Sequence, residues 1–78
     1  MNWRNHIISD TSILLGKPTI KGTRISVELI LELMANGWTE SMIFESYPKL
    51  TREDLKAVFG YLKECMETEL YFPIPKSA

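Results

Sequence analysis

Three times in this chain a hydroxyl residue follows an apolar one at the head of a helix-like run: Ser26, Thr39 and Thr51. Each is suited to accept a bond from the free N–H groups of a first helical turn. The residue before each cap and the one four after it pair as Ile25 with Ile30, Trp38 with Ile43, and Leu50 with Leu55, which is the spacing of a hydrophobic staple. Thr51 and Asp54 also fit a capping box in its acidic form, and Glu28, Glu40 and Glu53 put negative charge where the helix dipole favours it. So repeated a local signal restricts the second part of the chain to three helices.

The first helix is expected from about Val27 to Asn36, stopped by Gly37 in the position of a left-handed C-cap. Val27, Ile30, Leu31 and Met34 form its stripe, widened by Leu29 and Leu33, so it is expected to be buried on two sides. A short second helix spans roughly Glu40 to Ser46 with Ile43 and Phe44 inward, and Pro48 forces Tyr47 out of helical geometry. The third, about Arg52 to Glu69, carries Leu55, Val58, Phe59, Leu62 and Met66 at helical spacing. Between the last two, Tyr47-Pro48-Lys49-Leu50 has the length of the turn in a helix-turn-helix.

Ahead of the helices, from His6 to Ile25, short apolar groups alternate with turn residues, the signature of an extended arm or small β-hairpin. Gly22 interrupts the alternation of Thr19 to Ile25 and marks a bulge or turn. After them, Leu70 to Pro75 is apolar and broken by proline. The expectation is one mainly α domain over residues 1–78: an extended arm over 1–25, a three-helix bundle over 26–69 and an apolar tail over 70–78. A chain of 78 residues has a marginal core, which makes a homodimer the natural expectation.

The single cysteine, Cys65, forms no internal disulfide, and no aliphatic run exceeds three residues. A cytoplasmic location without a membrane partner is expected. Catalysis has little to stand on: His6 and Cys65 are far apart, and Glu53 and Asp54 are explained by capping. Gly16 and Gly22 frame no phosphate-loop pattern. A non-enzymatic protein without metal or cofactor is the expectation.

Net charge is −1, yet residues 1–25 carry +3 and the remainder −4. Lys17, Lys21 and Arg24 in the arm are candidates for phosphate contact, or else solvated turn charges with Arg24 paired to Asp10. Lys49, Thr51, Arg52 and Lys56 are the corresponding candidates at the start of the third helix. Against them stands a net −2 over Arg52 to Glu69, which favours a helix-turn-helix shape reused for protein contacts or dimerisation. Leu70, Tyr71, Phe72 and Ile74 are candidates for binding a protein partner.

Taken together, Gly16-Lys17-Pro18-x-Ile20-x-Gly22-Thr23-Arg24-Ile25-x-Val27, then Gly37, Ile43, and Tyr47-Pro48-x-Leu50-Thr51-x-x-Asp54-Leu55 resemble the small bacterial family called domain of unknown function 433, over roughly Ile8 to Leu62. The resemblance implies a homeodomain-like three-helix fold and an antitoxin-like protein of type II toxin–antitoxin modules. It further implies operator DNA as one partner and, as another, a toxin with a PIN-type nuclease fold. Two positions depart from the usual pattern: Thr11, where proline commonly follows the aspartate, and Leu15, where a first glycine commonly precedes Gly16. The family motif brings no catalytic set.

Overall fold

In the computed structural model, which describes residues 2–68 and 72–75, a short antiparallel hairpin precedes three helices. Strands β1 (Ile7–Ile8) and β2 (Thr19–Ile20) pair Ile7 with Ile20 and Ile8 with Thr19. The other edge of β2 is used as well. Thr19 bridges Ser26, Ile20 N–H donates to Ile25 O at 2.9 Å, and Val27 N–H donates to Pro18 O at 2.9 Å. The arm therefore continues into the first helix through its own backbone pairing. Extended alternation stops after Ile20 because Gly22, at φ +80°, turns the chain; Thr23 closes that turn by donating from its N–H and its hydroxyl to Ile20 O.

Helices α1 (Val27–Ala35), α2 (Glu40–Ser46) and α3 (Arg52–Glu67) all begin at the expected hydroxyl caps. Ser26 accepts from Leu29 N–H at 3.0 Å, Thr39 from Met42 N–H at 3.2 Å, and Thr51 from Asp54 N–H at 3.1 Å. α1 ends one residue before Asn36 in a Schellman closure: Gly37, at φ +89°, donates to Met34 O and Trp38 donates to Leu33 O. Trp38 thus closes one helix and, as the residue before Thr39, opens the next. α3 closes on Thr68, whose N–H bonds Glu64 O and Cys65 O; Glu69 lies outside the described residues.

Among the described residues, nine apolar side chains form the core: Ile7 and Ile20 from the hairpin, Val27 and Ile30 from α1, Ile43 from α2, Leu50 from the turn, and Leu55, Ala57 and Val58 from α3. Each buried isoleucine, leucine or valine contributes about 1.5–3 kcal/mol relative to exposure. All six staple residues belong to this core or pack against it. The apolar run of α3 is only partly covered: Phe59 is 48% and Met66 56% exposed, while Tyr61 and Leu62 pack against the core. Among the described residues, no helix is long and apolar enough to cross a membrane.

Candidate nucleic-acid interface

The first turn of α3 is held by two interlocking devices. Asp54 returns the Thr51 cap by accepting from Thr51 N–H through Oδ2 at 2.9 Å, completing the capping box. Its other oxygen, Oδ1, lies 2.9 Å from Nδ1 of His6, the residue before β1. His6 in turn accepts at its backbone carbonyl from Lys21 N–H at 2.8 Å. The basic turn of the arm is thereby tied, through His6, to the beginning of α3.

Around this junction the candidate cations divide into two groups. Lys21, Arg24, Lys49 and Arg52 are exposed and make no ion pair among the described residues. Lys56 is exposed on α3, with Nζ 3.6 Å from Glu53 Oε1 one turn back. Such an exposed pair is worth at most about 1 kcal/mol, so either partner is easily released. Thr51 is exposed, but its hydroxyl oxygen already accepts from Asp54 N–H.

Lys17 stands apart. Its Nζ lies 3.1 Å from Glu28 Oε1 in the first turn of α1, beside Tyr61 and Leu62. Tyr61 is about two and a half turns, roughly 14 Å, along α3 from Arg52. Arg24 does not pair with Asp10. The Asp10 carboxylate accepts instead from Ser12 Oγ and Ser12 N–H, which hold it below the usual aspartate range.

Charge counting along α3 overstates the negative field on its exposed face. Asp54 is buried and turned towards His6 and the cap, and Glu64 is engaged by Arg4 at 2.6 Å, which lowers its pKa. Both partnerships were beyond the reach of sequence spacing. Asp54 reads there as a cap alone, and it is 48 positions from His6. Trp3 was likewise unforeseen: its ring meets Tyr61 edge-on at 5.0 Å and carries the Arg4 guanidinium at 4.3 Å, strapping the N-terminal segment to the second half of α3. Of the partner-binding candidates, Phe72 is 93% and Ile74 83% exposed. Leu70 and Tyr71 lie outside the described residues.

A family model described as "Protein of unknown function (DUF433)" matches residues 7–62. Among solved structures, the chain is similar to a DUF433 member protein from Anabaena variabilis, with a TM-score of 0.74 and 29% identity. That match covers 83% of this chain and 64% of the other, so this chain spans less than two-thirds of its solved relative. No curated protein matches it.

Proposed function

As a member of the DUF433 family of proteins of unknown function, this chain is, we propose, the antitoxin component of a type II toxin–antitoxin module. In this reading it binds its own operator DNA as a cytoplasmic homodimer and neutralises a toxin of PIN-type nuclease fold, itself performing no catalysis. The observation that carries the DNA-binding part is the tie from the Lys21 turn through His6 to Asp54, which joins two exposed basic segments, Lys21–Arg24 and Lys49–Arg52, at one end of α3. Phosphate neutralisation by such side chains gives affinity that falls steeply with salt, and the start of a recognition helix is where base edges are read. For the toxin, the support is the exposed apolar pair Phe72 and Ile74.

Fluorescence anisotropy against the upstream duplex and a scrambled one, at two salt concentrations, tests the reading. Preferential, salt-sensitive binding is expected; no binding at low salt overturns it. The alternative, a helix-turn-helix-shaped protein-interaction or dimerisation module without DNA binding, is favoured by the exposed Phe59 and Met66 on α3. It predicts a partner-bound or dimeric protein indifferent to either duplex.

A further inference from the structure

The open side of α3 is basic, although the helix as a whole is acidic. Successive helical residues turn by about 100°, so Arg52, Lys56, Phe59, Lys63 and Met66 fall within an arc of about 80°. All five are exposed. No acidic residue lies inside that arc. Asp54 is turned to the other side, towards His6 and the Thr51 cap, and Glu64 is held by Arg4. Glu53 and Glu67 edge the row, 3.6 Å and 2.9 Å from Lys56 and Lys63, in exposed pairs that are easily released. Phe59 stands near the middle, with Lys56 one turn before it and Lys63 one turn after.

A single exposed apolar residue is common on a protein surface; what sets Phe59 apart is its company. An apolar protein partner over this row would bury three cations without counter-charge. Duplex DNA supplies phosphates for the cations and, in the major groove, the thymine 5-methyl group as an apolar target for the ring. α3 is also the second helix of the α2 and α3 pair joined by the turn at Pro48, the position from which a helix-turn-helix reads the major groove. From Arg52 to Lys63 the row rises about 16 Å, the length of about five base pairs.

We propose that this row of α3 lies in the major groove of the operator and that Phe59 determines sequence there, its ring packed on a thymine methyl while Lys56 and Lys63 hold phosphates on either side. The assignment rests on the DNA-binding reading above and adds the residue that reads sequence. It also gives the exposed ring of Phe59 a role that needs no protein partner.

The test is anisotropy of the full chain on the upstream duplex and on the same duplex with every thymine replaced by deoxyuridine, which removes the 5-methyl groups and keeps the base pairing. Wild type should bind the methyl-free duplex about fourfold more weakly for each methyl that Phe59 covers. Phe59→Ala, its helices checked by circular dichroism, should lose most of that difference, and Phe59→Leu should keep part of it. Lys56→Ala and Lys63→Ala should each reduce the salt slope by about 0.9 and leave the methyl effect in place. A wild type that binds neither duplex overturns the DNA-binding reading and this assignment with it. Preferential, salt-sensitive binding without a methyl effect, or with one undiminished in Phe59→Ala, overturns the assignment alone. Salt slopes unchanged in both lysine variants do the same. So does tighter binding of the single upstream strand than of the duplex, lost in Phe59→Ala, because the ring then stacks on an unpaired base.

Discussion

His6 and Asp54, 48 positions apart in the chain, meet at 2.9 Å between Nδ1 and Oδ1 and join the N-terminal hairpin to the first turn of α3. Asp54 therefore serves two partners with two oxygens, since Oδ2 completes the Thr51 capping box. Replacing it by alanine removes a cap, worth about 1 kcal/mol, and a half-buried polar contact of about 1.5–3 kcal/mol. Urea denaturation should show Asp54→Ala losing roughly 2–4 kcal/mol and Asp54→Asn losing less. Equal losses in the two variants would contradict the double role.

Leu15 sits at φ +56° with its side chain 92% exposed, next to Leu14 at φ +50° and Gly16 at φ +84°. A left-handed leucine costs roughly 1–2 kcal/mol, and here no burial offsets it. The position is the one where the family pattern commonly has glycine. Leu15→Gly should stabilise the fold by about 0.5–1 kcal/mol after the entropy of the added glycine, raising Tm by a few degrees. A lowered Tm would show that Leu15 has a packing role.

Ile43 is fully buried in the core. Truncation to alanine should cost about 2–5 kcal/mol, a large share of the total stability of so small a domain, whereas Ile43→Val should cost about 0.5–1.5 kcal/mol. Thermal melts of the two variants check the ordering.

At acid pH the Arg4–Glu64 pair sets a sign. Arg4 holds the Glu64 carboxyl below its ordinary value of 4.5, so the folded state binds this proton less readily than the unfolded chain. The contribution is complete above that value and is lost as pH falls through the lower folded one. Glu64→Gln should therefore flatten the fall of Tm below about pH 4.5 while leaving the curve near pH 7 almost unchanged. Parallel curves for variant and wild type would remove the pair from the acid response.

Within the DNA-binding reading, Lys21→Ala and Arg24→Ala should each reduce the salt slope by about 0.9 for every phosphate that is no longer neutralised. Lys17→Ala should change it less, because Lys17 lies beside Glu28 and Tyr61, roughly 14 Å along α3 from Arg52. Anisotropy titrations at several salt concentrations separate the three. A dominant effect of Lys17 would relocate the interface to the α1 side of the molecule.

What the sequence by itself determined is the part written in short windows. The caps at Ser26, Thr39 and Thr51, the turn at Gly22, the stop at Gly37 and the break at Pro48 each depend on residues within about five positions, where hydrogen-bond geometry and allowed φ fix the outcome. Tertiary structure alone decided which apolar stripes were covered and which polar groups met. Phe59 and Met66 carry the same helical spacing as Leu55 and Val58, but among the described residues they are only partly covered, and about half of each stays in water. His6, Asp54, Trp3, Tyr61, Arg4 and Glu64 find one another only once the hairpin is laid along α3. Periodicity records that a side is apolar; contact between distant segments determines what that side touches, and with it the surface left for partners.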